Sequence, residues 1–271
     1  MTVDSHVHVA SADTARYPLA PTGVGSDWWR EDRDVTHLLA TLDEAGVEAA
    51  VVVQAVGAYG YDCAYAIDAV ATAPDRLALV CALDLDGPDP AGVLSRLAAD
   101  APVRAVRVFG VGATAPGWLR DGRAAPVWAA AEAAGVGIVP TLWDRDLPAL
   151  RPLIEAHPAV PVAVDHCGFT DFTDGPPYAA AGALFDLADL PAVHLKVSSH
   201  VLEPLPEPAD LVDELARRFG ADRLCWGSDF PQTQSHPYPE LVALGQRACR
   251  RLDDAGQQAF LAGTARRLWF S

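Results

Sequence analysis

Ala49-Ala50-Val51-Val52-Val53 is a run of five small or β-branched apolar residues with no polar side chain. A strand with one face in water alternates polar and apolar residues, so this run predicts a strand that is buried on both faces. Such strands are typical of parallel sheets that helices cover on the outside. The run therefore indicates an α/β protein built on a parallel sheet.

Seven further β-rich runs occur along the chain, and they alternate with Ala- and Leu-rich segments of helical periodicity. The predicted strands are residues 3–9, 49–55, 77–84, 103–109, 136–142, 161–166, 193–200 and 223–228. The predicted helices are residues 35–45, 62–73, 88–100, 122–134, 145–156, 178–189, 207–218 and 237–252. Eight strand–helix repeats predict one (β/α)₈ barrel, a TIM barrel, over residues 1–271.

A doubly wound open sheet is the alternative fold, but no glycine-rich nucleotide-binding loop follows any predicted strand. Residues 10–34, rich in Pro, Gly and Trp, form the longest segment without periodicity. This extended loop follows the first strand, so we expect it to lie over the active-site face of the barrel as a lid or substrate wall. A helix at the C-terminus is expected to close the barrel.

The chain has 271 residues and a formal net charge of −16. An acidic surface repels phosphate backbones and anionic lipids, so neither nucleic acid nor a membrane is an expected partner. The sequence contains no apolar run long enough for a membrane span, and its first residues lack the pattern of a signal peptide. Its five cysteines include no C-x-x-C pair. We expect a cytoplasmic protein that acts on a small molecule, either as a monomer or as a homo-oligomer.

Polar residues gather at the C-terminal ends of the predicted strands, where barrels of this kind carry their chemistry. Strand 1 ends with His6-Val7-His8, and residues two apart on a strand point the same way. Strand 6 ends with His166, and Asp229 follows strand 8. Taken singly, each could be a hydrogen-bonded loop residue or a helix cap. Together they predict a site for one divalent ion, with zinc as first choice and manganese as second.

Lys196, Ser198 and His200 are expected to share the inward face of strand 7. Polar side chains inside a barrel are costly without partners, so this face is predicted to look into a polar pocket. His200 or Lys196 would stabilise a developing oxyanion there. The alternative for Lys196 is a core salt bridge with a carboxylate such as Asp84 or Asp229.

Arg107, near the end of strand 4, is the candidate for binding a substrate carboxylate through two hydrogen bonds. Arg104 lies on the opposite face and is expected to be structural. Gln54, at the end of strand 2, is predicted to donate a hydrogen bond to the substrate. Aromatic side chains are expected to shape the pocket or to pack in the core: Trp28, Trp29, Tyr59, Tyr61, Trp143, Phe169 and Phe172.

In order and spacing, a series of short motifs resembles the amidohydrolase-related family of TIM barrels, which includes small lactonases and decarboxylases. The motifs are Asp4-Ser5-His6-Val7-His8, Val53-Gln54, Ala105-Val106-Arg107, Asp165-His166-Cys167-Gly168, Lys196-Val197-Ser198, Trp226-Gly227-Ser228-Asp229-Phe230-Pro231 and Gly263-Thr264-Ala265-Arg266-Arg267-Leu268-Trp269.

The resemblance implies that His6, His8, His166 and Asp229 form the metal site where a metal is used. It also implies a metal-free alternative, because members similar to pyrone-dicarboxylate lactonase keep these residues and work without a metal. The D-H-x-G and K-V-S segments resemble that lactonase branch. His200, in contrast, resembles the catalytic histidine of the decarboxylase branch. No lysine late on strand 4 is available for carbamylation, which favours one metal ion over two.

The leading hypothesis is metal-assisted hydrolysis of a small lactone or related cyclic ester or amide that carries a carboxylate. The ion would lower the pKa of its bound water, and Asp229 would act as general base. A decarboxylase of an unsaturated or aromatic acid, a metal-independent lactonase and a non-catalytic binding protein are the alternatives.

Overall fold

The chain folds around one sheet of eight parallel strands whose spatial order follows the sequence, β1 to β8. The computed structural model describes residues 1–112, 116–233 and 235–271. The strands are β1 Val3–Val7, β2 Ala49–Val53, β3 Leu77–Leu83, β4 Val103–Phe109, β5 Gly137–Thr141, β6 Val162–Val164, β7 Val193–Ser198 and β8 Leu224–Gly227. All eight predicted strands are present, each within its predicted range.

Backbone hydrogen bonds between the first and last strand regions close the sheet into a barrel. His8 N donates to Phe230 O at 2.7 Å, and Asp229 N donates to His6 O at 2.9 Å. Val7 and Phe230 also form a parallel bridge. The (β/α)₈ barrel is therefore confirmed, and the open-sheet alternative is wrong.

Helices separate the strands and cover the outside of the barrel. They are α1 Val35–Glu44, α2 Val56–Tyr59, α3 Ala64–Ala71, α4 Pro90–Asp100, α5 Ala124–Ala134, α6 Arg151–Ala156, α7 Gly182–Phe185, α8 Ser199–Leu202, α9 Pro208–Phe219, α10 Tyr238–Ala248, α11 Asp254–Gln258 and α12 Thr264–Trp269. Asp34 caps α1 by accepting a hydrogen bond from His37 N at 2.8 Å, which satisfies a backbone donor at the helix start.

The predicted helix over residues 178–189 is wrong in its extent, since only Gly182–Phe185 is α-helical. Arg223 supplies the physical reason. Its guanidinium donates to Ala188 O and Leu190 O at 2.8 Å each. These two backbone carbonyls accept from the Arg223 side chain instead of from the backbone N–H groups of a longer helix. The α-helix therefore ends after one turn, at Phe185.

Small apolar side chains fill the interior of the barrel, as strand alternation requires. They are Val3, Ala49, Val51, Val53, Ala78, Val80, Ala105, Val139, Ala163 and Cys225. Helix α12 packs against this layer through Ala265 and Trp269, both at most 2% exposed. The expected closing helix is thus present, and it seals the end of the barrel opposite the C-terminal strand ends.

The long loop after β1 lies beside the C-terminal ends of the strands. Ala20 N donates to Ala58 O at 2.8 Å, and Ser26 N donates to Gln232 Oε1 at 3.2 Å. Trp28 is buried. These contacts hold the loop against the segments after β2 and β8, so it forms one wall at the open end of the barrel. Among the described residues, no helix has the length and hydropathy that a membrane span needs.

Candidate active site

Four predicted ligands come close together at the C-terminal ends of their strands. The ring centroids of His6 and His8 lie 4.9 Å apart, and those of His6 and His166 lie 4.8 Å apart. Asp229 Oδ1 is 3.6 Å from His6 Nε2 and 3.3 Å from His8 Nε2. Three imidazoles and a carboxylate from three distant parts of the chain therefore lie close together, with His6 in contact range of each of the others.

Unusual backbone conformations direct two of these side chains. His166 and Asp229 have positive φ angles of 52° and 60°. His166 begins a left-handed turn that runs through Phe169, whose φ is 51°. Left-handed non-glycine residues cost on the order of 1 kcal/mol or more, and they are concentrated at functional sites. The sequence pattern placed these residues at strand ends but could not show this turn.

Hydrogen bonds at Nδ1 orient two of the imidazoles. His8 Nδ1 donates to Val53 O at 2.8 Å, which leaves a lone pair on Nε2. His166 Nδ1 lies 2.8 Å from Ser198 Oγ. Partners of this kind on the remote ring nitrogen are typical of metal-binding histidines, because they set the tautomer and the ring orientation.

His6 Nε2 provides the test of whether a metal fits. It is buried and has no hydrogen-bond partner among the described residues, although buried polar atoms are nearly always partnered. His6, His8 and Asp229 each offer a ligand atom, and these atoms lie within 4.8 Å of one another. A divalent cation would satisfy the buried nitrogen, and the nitrogen and oxygen donors suit zinc or manganese.

Asp165 lies beneath the candidate ligands and is fully buried. Its Oδ2 accepts hydrogen bonds from Arg107 Nε at 2.9 Å and Thr141 Oγ1 at 2.7 Å. Its Oδ1 lies 3.2 Å from Lys196 Nζ and 3.1 Å from His6 Nδ1. The carboxylate thus joins two cationic side chains to a ligand histidine.

Opposite charges offset the cost of burial in this network. Burial alone would raise the pKa of Asp165, but Lys196, His6 and Arg107 hold it well below its usual value. Asp165 is therefore ionised. Its carboxylate lies nearer to His6 Nδ1 than the Lys196 ammonium does, at 3.1 Å against 3.4 Å. This favours a proton on Nδ1 and a lone pair on Nε2.

Burial also keeps His6 and His166 neutral. It lowers the pKa of His6 well below its ordinary value and lowers that of His166 to about 4. Burial opposes the ionisation of Asp229, but His166, His8 and His6 outweigh it and hold the Asp229 pKa below its ordinary value. Neutral imidazoles beside an ionised carboxylate are the protonation states that a metal requires.

A cavity of about 350 Å³ opens above the ligands. His8, His166 and Asp229 line its inner end. The aromatic residues of its wall are Trp28, Phe109, Trp143 and Phe169. Polar residues from the segments after β7 and β8 line another part of the wall: His200, Glu203, Gln232 and Thr233. The volume is that of a small-molecule site.

Arg107, Trp143 and His200, which the sequence suggests for the site, also line this cavity. His200 reaches it from a different element, because β7 ends at Ser198 and His200 lies in α8. Its ring lies 5.6 Å from that of Phe169, between centroids. Arg107 has its Nε bound by Asp165 and Thr141.

The structure places Lys196 and Ser198 differently from the prediction. Lys196 is fully buried below the ligands, with Nζ 3.2 Å from Asp165 Oδ1 and 5.0 Å from the ring centre of Trp269. A buried ammonium needs a carboxylate, and that partner is Asp165 rather than Asp84 or Asp229. Ser198 is also buried, and its hydroxyl contacts His166. Both residues support ligands from below and lie outside the cavity lining.

Gln54 and Tyr61 also lie away from the cavity lining. The Gln54 amide donates to Gly60 O at 3.1 Å and to Asp62 O at 2.7 Å. Both donor hydrogens are therefore used by the loop after β2, which explains the burial of this polar side chain. Tyr61 lines a separate surface cavity beside β3.

Two residues of the site were not predicted from the sequence as site residues. Asp165 appeared there only as part of a motif, although an arginine and a lysine on inward strand faces already require a buried carboxylate. No sequence pattern marked Glu203 as a site residue, because it lies in a loop without periodicity. Only the tertiary fold brings it to the cavity.

The chain matches a family of known enzymes along almost its whole length. An amidohydrolase family model matches residues 3–270, so the protein belongs to the amidohydrolase family. It is an enzyme of lactonase-like hydrolase type, and decarboxylases of the family are among its structural neighbours.

Three relatives illustrate this range. The chain is 29% identical to the L-fucono-1,5-lactonase of Burkholderia ambifaria over 237 residues, which cover 84% of this chain and 80% of that protein. A Pseudomonas putida structure, provisionally assigned as a 2-pyrone-4,6-dicarboxylic acid hydrolase, is 26% identical with a TM-score of 0.80 and covers 98% and 96% of the two chains. The 2,6-dihydroxybenzoate decarboxylase of Rhizobium shares the fold, with 18% identity, a TM-score of 0.69 and 98% coverage of both chains.

Proposed function

We propose that this protein hydrolyses a small lactone in a metal-assisted reaction. The observation that carries the proposal is the buried Nε2 of His6, which lies beside His8 and Asp229 and finds no hydrogen-bond partner in the part of the chain that the structure describes. The relative that hydrolyses L-fucono-1,5-lactone supports a cyclic ester as the substrate class. Zinc is the metal that this donor set favours, with manganese second.

His6, His8, His166 and Asp229 would hold the cation. When bound, the cation supplies Lewis acidity for the ester carbonyl and for the attacking water. Asp229 accepts a proton from that water as it adds to the carbonyl carbon, and then returns a proton to the leaving ring oxygen as the C–O bond breaks. Because the ester bond lies within a ring, the reaction gives a single product, a hydroxy acid.

His200 and Arg107 complete the proposed site. His200 lines the cavity and donates a hydrogen bond towards the developing negative charge or the ring oxygen. Arg107 lies at the opposite side, on β4, with its Nε held by Asp165. The expectation of a carboxylate on the substrate depends on Arg107 alone, and this guanidinium already neutralises a buried carboxylate. Arg107 therefore has less capacity to bind a substrate carboxylate than the sequence suggests.

Replacing Asp229 by Asn tests the base. We expect Asp229→Asn to lower kcat at least 10²-fold for any lactone that the wild type hydrolyses, because an amide cannot accept the proton. Titration of released acid measures turnover. Asp43→Asn, which alters an exposed carboxylate paired with Arg76, is the matched control and should leave turnover unchanged. Equal turnover of Asp229→Asn and wild type would refute the role of Asp229.

Metal content tests the site itself. Plasma mass spectrometry of the purified protein should find about one zinc or manganese per chain, and the metal should be lost in His6→Ala/His8→Ala. His157→Ala, a surface histidine paired with Glu132, should keep the metal. A metal-free wild type that still hydrolyses lactones would instead support the metal-independent alternative, with the same residues acting directly.

Decarboxylation is the second candidate function, because His200 lines the cavity. It predicts that an unsaturated or aromatic acid releases carbon dioxide and takes up a proton, with no oxygen from water in the product. Incubation in ¹⁸O-labelled water separates the reactions, because hydrolysis puts one labelled oxygen into the hydroxy acid.

A further inference from the structure

The cavity contains a carboxylate for which the proposed hydrolysis has no use. Glu203 lines the cavity just after α8, and 20% of its side chain is exposed. Its Oε1 accepts a hydrogen bond from Ser235 Oγ at 2.5 Å and lies 3.0 Å from His236 Nδ1. Both partners come from the segment after β8. The side chain is therefore held in place across two loops rather than free in solvent.

Among the described residues, few formally charged side chains line the cavity. The charged side chains that line it are Arg107, Asp229 and Glu203. The residues outside the described part of the chain add no charge, since they are Ala113, Thr114, Ala115 and Gln234. The charge of Arg107 is offset by Asp165 at 2.9 Å. Within the described part of the chain, Glu203 pairs with no lysine or arginine, and its partners are the Ser235 hydroxyl and the His236 imidazole.

Glu203 belongs to neither group of candidate metal ligands among the described residues. It comes five residues after the end of β7 at Ser198, whereas the ligands lie at most two residues from the ends of their strands. With the ring ester at the ligands, substituents elsewhere on the lactone ring would reach Glu203 in the cavity wall. A carboxylate on the substrate would meet Glu203 there and be repelled.

The neighbours of Glu203 match hydroxyl groups. Gln232 also lines the cavity and uses its Oε1 to accept from Ser26 N at 3.2 Å, so its amide NH₂ group is the donor. Trp143 and Phe169 lie on the aromatic wall with ring centroids 5.0 Å apart. An acceptor, a donor and an aromatic surface together suit a ring with C–H groups on one face and hydroxyls at its edge.

We propose that Glu203 is a specificity-determining residue, which selects a neutral, polyhydroxylated lactone and excludes lactones that carry a carboxylate. A glutamate oxygen accepts strong hydrogen bonds from hydroxyls and repels an anion. The proposal rests on lactone hydrolysis in the same cavity, and it replaces the carboxylate-bearing substrate that Arg107 suggested from the sequence.

Lactams, in which an amide replaces the ring ester, test this selectivity by binding alone. The matched probes are D-glucono-1,5-lactam and D-glucaro-1,5-lactam, which differ in a CH₂OH group against a carboxylate. Calorimetry at pH 8 should show at least tenfold tighter binding of the neutral lactam to the wild-type protein. In Glu203→Gln the ratio should fall about tenfold, mainly because the carboxylate lactam binds better once a repulsion of about 1–2 kcal/mol is removed.

Glu132→Gln is the matched control, because Glu132 also accepts from a histidine Nδ1, at 2.8 Å from His157, but lies outside the cavity. It should leave the ratio unchanged. Glutamine can still accept from Ser235, so the melting temperature of Glu203→Gln should match the wild type. Tighter binding of the carboxylate lactam, an unchanged ratio in Glu203→Gln, or no binding of either lactam would overturn the proposal.

Turnover of the matching lactones is measured separately. Wild-type protein that binds the neutral lactam and hydrolyses no lactone would contradict the proposed function while leaving the binding preference intact. Hydrolysis of lactones without the charge preference would contradict only the role of Glu203.

Discussion

At the scale of single residues, Asp165 decides how the site is built. It lies within 3.2 Å of polar atoms of Arg107, Lys196, Thr141 and His6. Each buried cation lowers the cost of burying the carboxylate, and the carboxylate orients a ligand histidine. The two cations that the sequence presents as substrate contacts are thus first of all its counter-ions.

Removing one of these counter-ions should weaken the folded state. We expect Lys196→Met to lower the free energy of unfolding by about 3–5 kcal/mol, because it removes the ammonium 3.2 Å from a fully buried carboxylate. Urea titration measures the change. Arg104→Met, on an exposed arginine of the same barrel, is the control and should cost less than about 0.5 kcal/mol. Similar losses in both variants would show that the buried Lys196–Asp165 pair stabilises the fold no more than an exposed arginine does.

At the scale of elements, the contact between β1 and the end of β8 holds the ligands in register. Asp4 Oδ1 accepts from His6 N at 3.0 Å and from Ser228 N at 2.9 Å. Gly227 allows this approach, since a Cβ atom there would lie 2.9 Å from both His6 Cβ and Ser5 Oγ. His6 and Asp229 are therefore positioned by the pairing of two elements that are more than 200 residues apart.

Gly227→Ala should push these two elements apart. We expect a loss of about 1–3 kcal/mol in the free energy of unfolding, the usual cost of overpacking, together with weaker metal binding because His6 moves. Thermal unfolding and metal titration by calorimetry measure both effects. Gly182→Ala is the control, because a Cβ atom there meets nothing within 4 Å. A Gly227→Ala protein with wild-type stability and metal affinity would refute the role of the close contact between β1 and the end of β8.

At the scale of the whole molecule, the barrel brings together ligands from β1, β6 and β8. A cation held at this point would bind the folded chain and not the unfolded one, so it would add to stability by mass action. The closure that creates the cavity would then link folding to the proposed metal binding.

Chelation should lower the melting temperature of the wild-type protein. With free metal 100-fold above Kd, the stabilisation is about 2.7 kcal/mol, which corresponds to roughly 5–10 °C for a chain of this size. Differential scanning calorimetry with and without EDTA measures the shift. In His6→Ala/His8→Ala the chelator should have no effect. An unchanged melting temperature in the wild type would argue for the metal-free alternative.

The sequence by itself determined the eight strands, the closed barrel and the four ligand candidates. The reason is local: strands buried on both faces have an apolar composition that can be read directly, and barrel chemistry lies at strand ends. His6, His8, His166 and Asp229 could therefore be found without knowing which strands are neighbours.

Only the tertiary structure decided which polar residues face the cavity. Lys196, Gln54 and Tyr61 have the composition of substrate-binding residues, yet their partners or positions remove them from the cavity lining. Two acidic residues that the sequence did not single out join the site instead: Glu203 in the cavity lining and Asp165 buried beneath the ligands. The partner of a buried side chain can come from any of eight strands, so the order of residues does not reveal it. The positive φ angles that orient His166 and Asp229 leave no periodic pattern in the sequence, so they could not be predicted either.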